Sequence, residues 1–75
     1  MSKTPNETFA RRLNLLMFQK DITEQRLADS VGVARSAIAK WKKGHVPNGY
    51  KIFLAARFFD VKESFFFDEP LDFQI

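Results

Sequence analysis

The chain contains no cysteine, a single histidine and only three glycines among its 75 residues. The absence of cysteine excludes disulfides and thiolate metal sites and is typical of proteins from a reducing compartment. His45 has no cysteine or paired carboxylate cluster to complete a ligand set, so no metal site is predicted. The chain also lacks a glycine-rich phosphate loop and a plausible nucleophile–base pair. We therefore expect no enzymatic activity and no cofactor, and no small-molecule ligand is evident.

Long apolar runs are also missing. The first residues, MSKTPNETFARR, contain no apolar stretch of signal-peptide length, and the later stretches are too short to span a bilayer. These features predict a soluble, cytoplasmic protein without a membrane partner. The length predicts one domain over residues 1–75. This is close to the smallest size at which a hydrophobic core is stable without disulfides or bound metal. Residues 68–75, DEPLDFQI, are predicted to be a short C-terminal tail that forms a loop, a short strand or a frayed end.

Positive charge is concentrated in the first part of the chain. Residues 1–44 contain nine lysines and arginines against four acids, whereas residues 45–75 contain three against five. Residues 33–44 contain four basic residues and no acid, and residues 60–75 contain five acids and one lysine. A polyanion is therefore expected to be attracted to the first part and repelled from the end of the chain.

Residues 23–44, TEQRLADSVGVARSAIAKWKKG, have the pattern of two short helices joined by a tight turn. Thr23 is a good N-cap residue, and the inner stripe of the first helix is formed by Leu27, Ala28 and Val31. Gly32 can adopt a positive φ and end this helix sharply. Ala28 is small where the two helices are expected to cross. The inner face of the second helix is predicted to consist of Val33, Ile38 and Trp41.

A longer helix is predicted before this motif. Residues 4–7, TPNE, have the form of a capping box with proline at the first helical position. The helix should end near Lys20 and Asp21, with Asp21 in a left-handed conformation that aspartate tolerates better than most residues. Leu15 and Phe18 lie off the inner stripe and are predicted to be buried against the C-terminal half, an interpretation favoured over a partner site. The inner stripe itself is predicted to consist of Phe9, Leu13, Leu16 and Met17.

Two further helices are predicted after the motif. Asn48 is the best candidate to cap the first of them, which should end near Phe59 with Asp60 at its stop. Its inward-facing residues are predicted to be Ile52, Ala56 and Phe59. A short helix at residues 63–67 should place Phe66 in the core. The predicted fold class is therefore all-α, a compact bundle of four to five short helices with a central helix-turn-helix.

The motif resembles the helix-turn-helix of the phage Cro and CI repressors and the related XRE-like regulators, with matches at Leu27, Ala28, Val31, Gly32, Val33, Ile38 and Trp41. The likeness extends over most of the chain, from the core positions of the first helix to the later run GHVPNGYKIFLAARFFDVKESFF. In that family the third helix enters the major groove of double-stranded DNA. The resemblance therefore implies a DNA-binding regulator of phage or prophage type.

The resemblance also selects candidate DNA contacts. Arg35 is the strongest candidate base reader, because its guanidinium can donate two hydrogen bonds to guanine. On an arbitrary helix Arg35 and Lys40 would be solvated surface cations, but the motif favours a role in DNA contact. The full set of candidate base readers is Ala34, Arg35, Ser36, Ala39 and Lys40. The candidate phosphate contacts are Gln25, Lys42, Lys43, His45, Asn48, Tyr50 and Lys51.

Three residues in or near the motif need a separate interpretation. Glu24 stands where the family commonly has a glutamine that touches a phosphate, and a carboxylate there would be repelled, so no contact is assigned to it. Trp41 is predicted to be a core residue rather than a platform for stacking single-stranded bases. For Tyr50, a partly buried ring that closes the core is as good an interpretation as a phosphate contact.

Phenylalanine is concentrated at the C-terminal end. Six of the nine phenylalanines lie in the last eighteen residues, and one short helix cannot turn three consecutive rings toward one core. An apolar patch away from the DNA-binding face usually marks an interface, so a homodimer is favoured over a monomer with a folded-back tail. The predicted interface consists of Phe58, Phe65, Phe67, Leu71 and Phe73.

Taken together, these features predict a sequence-specific regulator that binds double-stranded DNA as a dimer on a two-fold operator. The chain is too short for an effector domain, so repression by occlusion is the simplest mechanism. The alternative is a protein-interaction module on the same fold, such as an antitoxin or assembly factor that uses its Phe-rich end. A single-strand binder is less favoured, because Trp41 and Tyr50 are the only aromatic candidates for stacking near the basic residues of the motif.

Overall fold

The computed structural model describes residues 5–67, which form four α-helices and one short 3₁₀ helix. The helices are α1 (Pro5–Gln19), α2 (Glu24–Val31), α3 (Arg35–Trp41) and α4 (Gly49–Phe59), and the 3₁₀ helix spans Glu63–Phe66. This architecture confirms the predicted all-α fold class. The capping role of Thr4 and the tail at residues 68–75 lie outside the described residues. Within the described range, no helix combines the length and the apolar character needed to cross a membrane.

Local signals define most of the helix ends. The side chain of Asn48 accepts a hydrogen bond from the backbone N–H of Lys51 at 3.0 Å, which confirms its predicted role as the cap of α4. Asp21 follows the end of α1 with φ 56°, and Asp60 ends α4 with φ 60°. Both aspartates therefore adopt the left-handed conformation in which glycine is more common.

One apolar core joins all of these elements. Phe9 of α1 is fully buried in it, with its ring centroid 5.2 Å from that of Phe66 in the 3₁₀ helix. Trp41 is 6% exposed, which confirms its predicted place in the core. Ala55 is buried in addition to the predicted inner residues of α4. The buried apolar residues are Phe9, Leu13, Leu16, Met17, Leu27, Ala28, Val31, Ile38, Trp41, Ile52, Ala55, Ala56, Phe59 and Phe66.

The predicted burial of Leu15 and Phe18 is wrong. Both residues lie on the outer side of α1, and Phe18 is 85% exposed. The 3₁₀ helix packs instead on the side of α1 that carries Phe9, where Phe66 and the following residue Phe67 contact that ring. Val33 also differs from its predicted position: it precedes α3, in the turn, and packs against the core from there.

The clustered phenylalanines have different environments. Phe66 is fully buried, whereas Phe67 is 38% exposed although its ring stacks on Phe9. Phe58 and Phe65 are half-buried, and each has an arginine guanidinium over its ring. Arg12 of α1 lies 4.7 Å from the Phe65 centroid, and Arg26 of α2 lies 6.0 Å from the Phe58 centroid. Two arginines of the same chain therefore cover part of the predicted dimer interface.

Candidate nucleic-acid interface

The turn between α2 and α3 is built from local hydrogen bonds. The Thr23 hydroxyl accepts a hydrogen bond from the backbone N–H of Arg26 at 3.1 Å and caps the start of α2. At its other end Gly32 has φ 82°, and the N–H groups of Gly32 and Val33 both donate to the carbonyl of Ala28, at 2.8 and 3.0 Å. Ala28 is fully buried, as expected where two helices cross closely. These contacts shape the turn through which α3 comes to pack against α2.

The outer face of α3 is polar and basic. Ile38 and Trp41 turn inward, whereas Ser36, Lys40 and Lys43 are exposed. The spacing of these three exposed residues places them on one side of the helix and of the turn that continues it. Among the other candidate base readers, Ala34 is the N-cap residue that precedes α3, and Ala39 is half-buried. The side of α3 farthest from the core therefore presents two lysines and a hydroxyl.

Arg35 lies at the start of α3 and is paired with Glu24 at the start of α2. Its Nη1 atom is 3.3 Å from Glu24 Oε1, and its side chain remains 64% exposed. Arg35, the strongest candidate base reader, is therefore ion-paired with Glu24, the residue to which no DNA contact was assigned. Because a guanidinium has five N–H donors, this pair leaves Arg35 with donors for a further partner.

Lys42 is held by the same carboxylate. Its Nζ atom lies 3.1 Å from Glu24 Oε2, and its side chain is about half as exposed as that of Arg35. The Lys42 carbonyl also accepts a hydrogen bond from Asn14 of α1 at 3.1 Å, which attaches the end of α3 to α1. A phosphate that approached Lys42 would have to compete with Glu24 for its ammonium group.

The two cations lower the pKa of Glu24. The hydrogen bond from Lys42 is the largest cause, and burial, the second largest, acts in the opposite direction. The positive charges of Lys42 and Arg35 and the hydrogen bond from Arg35 lower the pKa further. A carboxylate with a lowered pKa stabilises the fold at pH values above its ordinary pKa, and this contribution is lost as the pH falls through the pKa of the folded state.

We therefore expect the stability of the protein to depend on this ion pair at neutral pH but not in acid. Lys42→Met should lower the thermal midpoint at pH 7, and the difference from the wild type should disappear below the pKa of Glu24. Carboxyl NMR titration should give Glu24 a midpoint below the ordinary glutamate value, and Lys42→Met should raise that midpoint. An identical titration midpoint in both proteins would show that Lys42 does not hold the carboxylate in solution.

A basic groove lies between α1 and the loop that follows α3. It has a volume of about 720 Å³. Gly44, with φ 110°, allows the loop to turn back beside Asn6 of α1. Three of the candidate phosphate contacts line this groove, namely Lys42, Lys43 and His45. Arg11 of α1 lines it as well. Its lining residues are Asn6, Glu7, Ala10, Arg11, Lys42, Lys43, Gly44, His45 and Val46.

The remaining candidate phosphate contacts lie at the starts of α2 and α4. Gln25 is exposed, and its amide donates a hydrogen bond to Asp29 at 2.8 Å. Asn48 uses its side chain to cap α4, and Lys51 is half-buried. Tyr50 is 67% exposed, so it does not close the core. Its ring instead stacks on Phe53 with the centroids 6.5 Å apart.

Three residues of this surface were not predicted from the sequence. Arg11 joins the basic groove, Asn14 fastens the end of α3, and Glu24 pairs with two of the candidate DNA contacts. For Arg11, exposure on α1 and a positive charge were the only signals in the sequence. The contacts of Asn14 and Glu24 join residues 28, 11 and 18 positions apart, and no local pattern indicates them.

The fold and this surface define a helix-turn-helix domain with a basic outer face on its second motif helix. A family model described as helix-turn-helix matches residues 7–66, which is most of the chain. The protein therefore belongs to the Cro/CI-type, XRE-like family of DNA-binding helix-turn-helix regulators. No curated protein and no solved structure matches the chain.

Proposed function

We propose that this protein is a sequence-specific regulator of transcription that places α3 in the major groove of double-stranded DNA. The observation that carries this proposal is the exposed face of Ser36, Lys40 and Lys43 on a helix that packs against α2, where Ala28 is fully buried. A helix of this kind can enter the major groove and present its side chains to base edges.

The candidate contacts divide into base readers and phosphate contacts. Arg35 can read a guanine from the flank of α3 while it keeps one bond to Glu24, and Ser36 and Lys40 can reach bases from the outer face. The methyl groups of Ala34 and Ala39 can meet a thymine methyl. The proposed phosphate contacts are Gln25, Lys43, His45, Asn48, Tyr50 and Lys51. Lys42, the remaining candidate, can join them only when its ammonium group leaves Glu24.

We propose repression by occlusion as the mechanism. A protein bound across a promoter blocks access to it sterically, so repression requires nothing beyond tight and specific binding. The operator would have two-fold symmetry, because a dimer presents two copies of α3 to successive major grooves about 34 Å apart.

The proposed dimer uses the C-terminal side of the domain. Phe67 is exposed beside an apolar groove of about 290 Å³ lined by Gly49, Ile52, Glu63, Ser64 and Phe67. The rings of Phe58 and Phe65 are half-buried, and their exposed parts belong to the proposed interface. Leu71 and Phe73, the other two proposed interface residues, lie outside the described residues. An exposed apolar surface of this kind supports association with a second copy.

Removing residues 69–75 is therefore expected to shift the protein from dimer to monomer. Sedimentation or light scattering of the purified chain measures the mass, and Phe18→Ser is the matched control, because Phe18 is exposed on a different face. A truncated chain that remains dimeric would contradict this interface. A monomeric Phe18→Ser variant would place it on the outer face of α1 instead.

Selection of bound sequences from a random duplex pool tests the proposed function. A sequence-specific regulator should enrich one motif with two similar half-sites, and its binding should weaken steeply as the salt concentration rises. A protein-interaction module should enrich no motif and show weak, salt-insensitive binding to duplex DNA. The enriched sequence also supplies the duplex used in the binding experiments below.

A further inference from the structure

Glu24 places one carboxylate between two cations of the proposed DNA-binding surface. Oε1 contacts Arg35 Nη1 at 3.3 Å, and Oε2 contacts Lys42 Nζ at 3.1 Å. Arg35 is the first residue of α3, and Lys42 directly follows its last residue. A single side chain at the start of α2 therefore holds both ends of the helix that would enter the major groove.

This arrangement orients Arg35 without using up its hydrogen-bonding capacity. One guanidinium nitrogen bonds to Glu24, and the side chain as a whole is 64% exposed. The other donors of the planar guanidinium remain able to form the paired hydrogen bonds that recognise guanine. A side chain already restricted in this way loses less conformational freedom when it binds.

The same arrangement opposes binding to the phosphate backbone. Non-specific affinity depends on the number of phosphates that lysine and arginine neutralise, whereas specificity comes from contacts with base edges. Glu24 neutralises part of the positive charge of Lys42 and Arg35 and repels an approaching phosphate. Its charge therefore weakens non-specific binding more than it weakens a base contact made by a correctly oriented Arg35.

We propose that Glu24 is a positioning residue that determines specificity: its carboxylate orients Arg35 for base reading and withholds Lys42 from the phosphates. It thereby increases the ratio of specific to non-specific DNA affinity. The inference rests on the proposed function, since it concerns how the same surface discriminates between duplexes. A purely structural ion pair would change the stability of the fold but not this ratio.

The test compares Glu24→Gln with Asp29→Asn, using the full chain. Both substitutions remove one negative charge from α2, but Asp29 is exposed and accepts its hydrogen bond from Gln25 rather than from a cation. Each protein is titrated with the duplex selected by the wild type and with a scrambled duplex, over a series of salt concentrations. Circular dichroism melting establishes that both variants are folded at the temperature of the titration.

Glu24→Gln is expected to strengthen binding to the scrambled duplex about fivefold near physiological salt, because one further cation becomes available to a phosphate and the neutral glutamine can itself touch one. Its salt slope on that duplex should become steeper by about one unit. The ratio of specific to non-specific affinity should fall by at least the same factor. Asp29→Asn should change the affinity for both duplexes alike and leave the ratio as it is in the wild type.

Two results would overturn the inference, and they are distinguishable. A wild-type chain that prefers no duplex overturns the proposed function and this inference with it. A wild-type chain that selects a motif, with a ratio that Glu24→Gln leaves unchanged or changes no more than Asp29→Asn does, overturns the role of Glu24 alone. Repeating the selection with Glu24→Ala adds an independent readout, since the preference at the base pair read by Arg35 should relax.

Discussion

Replacing Trp41 with alanine is expected to lower the free energy of unfolding by about 3–5 kcal/mol, the effect of removing a large aromatic side chain from a core. Trp41 ends α3 and is only 6% exposed, among residues contributed by several helices. A domain of this size is stable by roughly 4–11 kcal/mol. The substitution should therefore remove a large part of the total stability, as urea or thermal denaturation would show.

Phe18→Ala is the matched control for this prediction. It removes an aromatic ring from a side chain that is 85% exposed, and substitutions at such sites usually change stability by less than about 0.5 kcal/mol. If Trp41→Ala kept wild-type stability and lost nucleic-acid binding, the ring would have to act on the surface. That outcome would favour single-stranded DNA or RNA as the ligand, through base stacking.

Arg35→Ala is expected to weaken binding to the selected duplex by about 1–3 kcal/mol and to relax the preference at one base pair. The physical reason is the loss of a bidentate base contact, while few phosphate contacts are affected. Lys43→Ala should act differently, because Lys43 is exposed and belongs to the basic groove. It should weaken binding to all duplexes alike and reduce the salt slope by about one unit.

Titrations of both variants with the selected and the scrambled duplex, at several salt concentrations, separate these two effects. Lys43→Ala serves as the control for Arg35→Ala, since each variant removes one positive charge from the same surface. A uniform loss of affinity in both variants would assign Arg35 to the phosphates. Base reading would then be left to the outer face of α3, at Ser36 and Lys40.

Much of the fold was predictable because its signals are local. Thr23 and Asn48 cap their helices through hydrogen bonds that reach only three residues along the chain. Gly32, Asp21 and Asp60 end helices in left-handed conformations, which are set mainly by the residue itself. The spacing of apolar residues then identified the inner faces of α2 and α4, since helical periodicity relates residues within a few turns.

The exposure of residues outside these stripes was not predictable in the same way. Leu15 and Phe18 were expected to be buried, but the 3₁₀ helix packs against Phe9 on another side of α1. Phe58 and Phe65 lie beneath arginines from α2 and α1. These environments depend on which element covers which face, and that choice results from the packing of the whole core.

The sequence by itself determined the helices, their caps, the family and the set of candidate DNA contacts. Only the tertiary structure decided how those contacts are arranged. Arg35 lies on the flank of α3, the side chain of Lys42 is partly buried, and Glu24 forms an ion pair with both. The sequence indicated only that a carboxylate at Glu24 would repel phosphate. The reason is physical, because capping and periodicity act within a few turns of one helix, whereas an ion pair between α2 and α3 exists only once the crossing of the two helices brings its charges within hydrogen-bonding distance.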